Sequence, residues 1–288
     1  MEKILILVAI AMIGLAVFSS CSKKSNTQTL ATATTAILDT ATISSITLTT
    51  AVCGGNITSN GGAPVTARGV CWNTSGSPTV ALTTKTMDGS GSGSYTSSIT
   101  GLLFGTTYYV CAYATNSVGT VYGLEQIFTT LGIGTYYEGG IIAYILRPSD
   151  SGYSQTVSHG LIAAPSDQSM GIQWGCYGTS VGASGYTIGT GKANTAAIVS
   201  ACGTGTAAYI CYTFTLGGYT DWYLPSDNEL FQLVDNQTAI GGFASATYWS
   251  SSETDNYYAW GYGFSNSGIG VLYDLRNSTH YVRAVRSF

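Results

Sequence analysis

Between Ile37 and Thr130 the chain is a succession of short β-branched runs separated by Gly, Asn and Ser, with no stretch of helical period. That punctuation restricts the segment to short strands joined by turns. Ile46, Leu48, Thr50 and Val52 alternate as the side chains of a half-buried strand do. Asn60-Gly61-Gly62 supplies residues that tolerate positive φ, so it reads as a hairpin-type turn. Ala67 to Trp72 gives the next strand, and the Gly/Ser run 89–93 a loop. Only 8% of the 288 residues are charged, and 10 Lys+Arg against 14 Asp+Glu give a net charge of −4. No basic face is available to replace counterions on phosphate, which excludes a nucleic-acid binder. With two histidines, His159 and His280, and no Cys-x-x-Cys, neither a His-centred triad nor a zinc site is expected. The chain is therefore not expected to be an enzyme, and no metal is assigned.

The first residues read as an address rather than as structure. Met1-Glu2-Lys3 is followed by an apolar run from Ile4 to Phe18 and then Ser19-Ser20-Cys21. The run is shorter than the roughly 20 residues of a membrane span, but it suits the apolar core of a secretory signal. Two small residues ahead of Cys21 resemble a bacterial lipobox. The resemblance implies a signal peptide over 1–20, lipidation of Cys21, and an outer-membrane lipoprotein held by acyl chains, on the cell surface or the periplasmic face. Residues 21–36, rich in Thr, Ser and Ala, read as a flexible tether.

Within 37–130 the most specific run is Gly-Thr-Thr-Tyr-Tyr-Val-Cys-Ala-Tyr-Ala-Thr-Asn-Ser-Val-Gly at 105–119. It resembles the F strand and following turn of a fibronectin type III domain, and implies an all-β sandwich of that Ig-like class. Residues 54–59 with Arg68 to Trp72 look like the variant common in Bacteroidota-type surface lipoproteins. By this match Tyr108, Val110, Ala112 and Ala114 face the core, while Tyr109, Cys111 and Tyr113 face outward. The match also places Cys71 and Cys111 on adjacent strands and the same outward face, as a candidate disulfide, with Cys53 left over. In the second half Cys202 and Cys211 are nine apart and Cys176 competes for either.

After Leu131-Gly132-Ile133-Gly134, a short hinge, the pattern changes. Gly139 to Leu146 and His159 to Ala164 read as paired buried strands, and 193–201 and 206–214 as Ala-rich packed helices. Ser226-Asp227-Asn228-Glu229 after Pro225 is a capping box opening a third helix, with Leu230, Leu233 and Val234 as its apolar stripe. Runs at 247–253, 257–264, 269–275 and 280–287 complete an α+β domain over 131–288. Its words are Gly-Gly-Ile-Ile-x-Tyr (139–144), His-Gly-Leu-Ile-Ala-Ala-Pro-Ser-Asp-Gln-Ser (159–169), Ile-Gln-Trp-Gly (172–175), Gly-Gly-Tyr-Thr-Asp-Trp-Tyr-Leu-Pro-Ser (217–226), Tyr-Trp-Ser-Ser-Ser-Glu (248–253) and Val-Arg-Ala-Val-Arg-Ser-Phe (282–288). In this order they resemble the C-terminal domain of Legionella collagen-like proteins (the Lcl C-terminal domain) and the Fibrobacter succinogenes major paralogous domains. The resemblance implies a C-type-lectin-like fold with its first and last strands paired, an adhesin, and a homo-oligomer. Those relatives bind sulfated glycosaminoglycans, which requires Lys or Arg against sulfate. From residue 131 the chain offers only Arg147, Lys192, Arg276, Arg283 and Arg286, so a neutral glycan or a protein fits the residues better.

Sugar recognition combines aromatic faces with Asn, Asp or Glu side chains, because a pyranose has an apolar C–H face and a polar rim. Glu253, Asp255, Asn256, Tyr257 and Trp260 supply these types within eight residues and form the candidate ligand-binding region. Trp249 and Trp260 also suit a core, and the acids also suit turns. No cofactor is required. Calcium would need six to eight hard oxygens; Glu253, Asp255 and Asn256 offer a few, but Glu-Pro-Asn, Gln-Pro-Asp and Trp-Asn-Asp are absent. Asp227 and Glu229 are accounted for by capping, and Asp221 as a structural acceptor. Arg283 and Arg286, three apart on one strand, would face opposite sides. The expectation is a lipid-anchored binding protein whose second domain meets glycan or protein, against the alternative of an envelope assembly component without a small ligand.

Overall fold

The computed structural model describes residues 32–264 and 270–288. The expected signal peptide, the expected lipidation at Cys21 and most of the expected tether over 21–36 lie outside the described residues. Among the described residues the chain is mostly β-sheet with a few short helices, and no helix is long and apolar enough to cross a membrane.

The first unit is a sandwich of two antiparallel sheets. One contains β1 (Ile37–Thr40), β2 (Ala51–Ser59) and β4 (Gly93–Ile99) in the order β1-β2-β4. The other is built on β5 (Thr107–Thr115), flanked by β3 (Ala67–Asn73), β6 (Thr120–Tyr122) and β7 (Gln126–Thr129). Alternation sends Ala51, Cys53 and Ile57 from the first sheet, and Val70, Trp72, Tyr108, Val110, Ala112 and Ala114 from the second, into one core. Tyr108 also anchors the preceding corner, since its hydroxyl accepts the Leu103 N–H at 2.9 Å. Gly61 and Gly62 adopt positive φ as the turn at 60–62 requires. It is not a hairpin, however: β2 and β3 belong to different sheets, so the turn carries the chain across the sandwich.

Two expectations are overturned here. Cys71 and Cys111 stand directly opposite each other on β3 and β5, yet both thiols are free. Nor is this face open to solvent, because Ala67, Val80 and Tyr122 pack over Cys71, Cys111 and Tyr113. Under that cover the Cys71 thiol donates to the Pro78 carbonyl at 3.4 Å, and burial pushes it up to about 12 and Cys111 to about 11. The disulfide joins Cys176 to Cys202 instead. The connector at 131–134 is not a hinge either. Leu131 and Ile133 are apolar and pack with Leu48, Ile142 and Ile145, while Leu131 takes a backbone bond from Gly105 and donates one to Thr47.

In the second unit, β8 (Tyr136–Tyr137), β9 (Gly140–Ile145), β10 (Gly160–Ala163) and, at the end of the chain, β16 (Val285–Ser287) form a sheet ordered β16-β10-β9-β8. The last strand thus pairs with β10, and the first long strand lies one place further in. A five-stranded sheet holds β11 (Ser169–Gln173), β12 (Thr247–Glu253), β13 (Tyr258–Gly263), β14 (Gly270–Leu275) and β15 (Thr279–Val282), ordered β11-β15-β12-β13-β14. The run read as one closing strand is therefore two strands in different sheets, with Arg283 and Ala284 at the crossing. Helices α1 (Gly191–Cys202) and α2 (Ala207–Thr213) bury Ile198, Ala207 and Ala208 with Trp174, Trp222 and Trp249 on one face of this sheet. On the other face α3 (Asp227–Asp235) and the short α4 (Gln237–Ile240) bury Leu230, Leu233 and Val234 with Tyr248, Tyr262 and Phe264. The capping box is formed: Ser226 Oγ accepts the Glu229 N–H, and Glu229 Oε2 accepts the Ser226 N–H.

Candidate functional site

The candidate region lies where β12 ends, turns and returns as β13. Its first residue is not available to a ligand. Glu253 is buried, and its carboxylate accepts the Ser180 hydroxyl at 2.9 Å, the Val181 and Gly182 N–H groups at 3.0 and 2.8 Å, and Arg276 Nη1 at 3.2 Å. Arg276 is itself fully buried. It donates to the carbonyls of Gly175, Thr179 and Asp255 and lies 4.0 Å from the centre of the Trp174 ring. Burial lowers the hold of Arg276 on its proton, and the Glu253 charge opposes that shift. This pair clamps the 174–182 loop to the β12–β13 turn.

Calcium does not fit this set. Both Glu253 oxygens already accept hydrogen bonds, and a guanidinium beside them repels a cation. Among the described residues no group of three or more His, Cys, Asp or Glu side chains converges as a metal site would need.

Asp255, Asn256 and Tyr257 do reach solvent at the tip of the turn. Asp255 Oδ1 accepts the N–H groups of Tyr257 and Tyr258 at 2.7 and 2.9 Å, so one of its oxygens shapes the turn. The Asn256 carbonyl accepts the Gly178 N–H, and the exposed Tyr257 ring meets Tyr177 edge-on with 5.3 Å between centroids. Trp260 is half-buried on β13, whereas Trp249 on β12 is a core residue whose Nε1 donates to the Ile172 carbonyl. The structure thus gathers Asp255, Asn256 and Tyr257 at a tip, places Trp260 on the adjoining sheet face, and withdraws Glu253.

That sheet face carries further aromatics around Trp260. Tyr258, Trp260 and Tyr262 share one side of β13 by strand alternation. Tyr273 on β14 stands opposite Trp260, with ring centroids 5.9 Å from Trp260 and 5.8 Å from Tyr258. Phe231 of α3 tilts against Tyr262 at 5.8 Å, where the helix ends its cover of the face. The period-two spacing of 258, 260 and 262 was a signal for the first three. Tyr273 joins them only through the register of the β13–β14 pair.

Three of the five Lys and Arg side chains of this unit are spent internally, while Arg147 and Lys192 are exposed. Arg283 pairs with Asp167, donates to the carbonyls of Ala164 and Gly242, and lies 4.1 Å over Phe243. Arg286 pairs with Asp221 at 2.8 Å and Glu138 at 3.2 Å and lies 3.8 Å over Tyr219. The two arginines have no partner in common, though because the strand breaks at Arg283 and not because of alternation along one strand, and Asp221 is a structural acceptor. Each of Arg276, Arg283 and Arg286 thus has a carboxylate and an aromatic ring, and none presents a free guanidinium to a sulfate.

Residues 164–286 match the sequence model of the Lcl C-terminal domain family. The words at 139–163 precede the matched segment, although β9 and β10 share a sheet with β16. No curated protein sequence matches the chain. Among solved structures, a fimbrial protein from Bacteroides ovatus is 13% identical with a TM-score of 0.38, over 77% of this chain and 64% of that one. The sensor domain of the anti-sigma factor RsgI4 of Pseudobacteroides cellulosolvens is 18% identical with a TM-score of 0.27, over 35% of this chain and all of that one.

Proposed function

We propose that the chain is a lipid-anchored, adhesin-like binding protein of the outer membrane. In this reading acylated Cys21 holds it at the bilayer, and a fibronectin type III-like sandwich sets the second unit away from the surface. That second unit, C-type-lectin-like, recognises an uncharged glycan or a protein.

The observation that carries this reading is the aromatic surface around Trp260. Tyr258, Trp260 and Tyr273 on the sheet give rings for the apolar face of a sugar or a protein loop, and Asp255, Asn256 and Tyr257 are exposed at the turn that leads into β13. The internal pairing of Arg276, Arg283 and Arg286 argues for an uncharged ligand over a sulfated one. With the Glu253 oxygens engaged, recognition would be independent of calcium.

A glycan array probed with the full chain, with and without EDTA, tests this. Binding to neutral glycans that survives EDTA and is lost in the Trp260→Ala/Tyr273→Ala double variant is the expected result. Binding confined to sulfated glycans, or unaffected by that double variant, overturns the site. No glycan binding at all, with no protein partner captured through this face, favours an assembly role in the envelope.

A further inference from the structure

The outer edge of the five-stranded sheet is an unusual place for the residues found there. Among the described residues β14 pairs only with β13, and its first residue, Gly270, has open space where a side chain would stand. Val271, Leu272 and Tyr273 are 59%, 37% and 61% exposed, and because neighbours alternate, both faces of the strand are apolar. Sheet edges are normally blunted by Lys, Pro, a bulge or an overlying segment. The run Gly-Val-Leu-Tyr-Asp-Leu has neither Lys nor Pro, its register with β13 is unbroken, and its one charge, Asp274, is held by His280 at 2.9 Å.

The hydrogen bonds also show which backbone groups face outward. Leu275 N–H is taken by Asp274 Oδ1 at 2.7 Å, and the carbonyl of its partner Tyr258 accepts from Thr254. Tyr258 and Leu275 are therefore a pair that exchanges no ladder bonds. By alternation Trp260–Tyr273 and Tyr262–Val271 are pairs of the same kind, so the N–H and C=O groups of Val271 and Tyr273 point to the open edge.

We infer that β14 is a self-pairing edge through which two copies of this chain join as an antiparallel, two-fold symmetric strand pair. With the axis at Leu272, Val271 of each copy lies opposite Tyr273 of the other, and both pairs exchange two N–H···O bonds between outward-facing groups. Leu272 meets Leu272 of the second copy on one face, and Val271 and Tyr273 meet across the other. Asp274 falls opposite Gly270, so no like charges face each other. This strand complements itself in hydrogen bonding, in apolar contact and in charge, which is why the occupant is a second copy rather than an unlike chain. The two proposals share Tyr273, so the variants that test association are placed at Val271 and Leu272, outside the ligand surface.

Sedimentation of the full chain in mild detergent, across a range of concentrations, should show a monomer–dimer equilibrium. Val271→Pro removes an outward donor while leaving the β13 ladder intact, and should weaken association at least tenfold with an unchanged circular dichroism spectrum. Leu272 stands at a position where Cα atoms approach to about 4.5 Å across a pair without ladder bonds, within disulfide range. Leu272→Cys should therefore form, on air oxidation, a covalent dimer whose linked peptides both contain position 272. A monomer at every concentration, an association that Val271→Pro leaves unchanged, or a free thiol at position 272 overturns the inference.

Discussion

Glu253→Gln separates a structural carboxylate from a ligand-binding one. The wild-type side chain is 5% exposed, its partner Arg276 is 0% exposed, and the carboxylate accepts four donors. Glutamine keeps one acceptor oxygen but turns an NH₂ toward donors, among the Ser180 hydroxyl, two backbone N–H groups and the guanidinium. It also leaves the Arg276 charge buried without a counter-charge. Removing one member of a buried ion pair costs about 3–5 kcal/mol, far more than the pair contributes relative to an apolar replacement. For a unit of this size, each kcal/mol moves the midpoint by roughly 2–4 °C, so a loss of about 6–20 °C is expected in thermal unfolding followed by near-ultraviolet circular dichroism. The double variant Glu253→Gln/Arg276→Met should recover much of that loss, because the uncompensated charge is gone. A Glu253→Gln protein that melts within about 2 °C of wild type yet loses ligand binding would refute the clamp and restore Glu253 as a contact residue.

Cys71 and Cys111 should resist iodoacetamide in the native protein and both alkylate after unfolding without reductant, as read by mass spectrometry; protection that survives unfolding would mean they are bonded. Reducing Cys176–Cys202, which spans 26 residues, should cost about 3–4 kcal/mol in urea unfolding; an unchanged midpoint would contradict that bond. At Asp221, burial raises the carboxyl, but the hydrogen bond and charge of Arg286 outweigh it and hold it below its ordinary value. Its stabilisation is therefore complete above the unfolded carboxyl value near about 3.9 and is lost as pH falls through the lower folded one. Asp221→Asn should flatten the acid limb of the stability–pH curve, and an unaltered limb would show that the Arg286 pair does not drive it.

What the sequence disclosed and what it withheld divide along distance in the chain. The core face of β5 follows from alternation at Tyr108, Val110, Ala112 and Ala114, and the start of α3 from four consecutive residues, because each depends only on neighbours. The opposition of Cys71 and Cys111 was legible once the strands were paired, but the cover of Val80 and Tyr122 over them was not. Glu253 was misread for the same reason. Its donors sit at 180–182 and 276, and no local pattern connects a carboxylate at the end of β12 to them. Asp255, Asn256 and Tyr257 were legible as an exposed tip because a turn solvates its own side chains. Tyr273 needed the β13–β14 register.

The scarcity of Lys and Arg connects these findings. A chain with ten such residues has few to divide between buried carboxylates and surface, and in the second unit only Arg147 and Lys192 stay exposed. Here Arg276, Arg283 and Arg286 go inward, each between a carboxylate and a ring, so the same allocation that stabilises the loops of the second unit leaves it little with which to hold sulfate. It also removes the residue type that most often keeps a sheet edge solvated and alone. An uncharged aromatic ligand surface and an unblunted β14 are thus two consequences of one choice. Placing a lysine at Leu272 should separate them, because position 272 lies on the opposite face from Trp260 and Tyr273: self-association falls while binding by a single copy is retained.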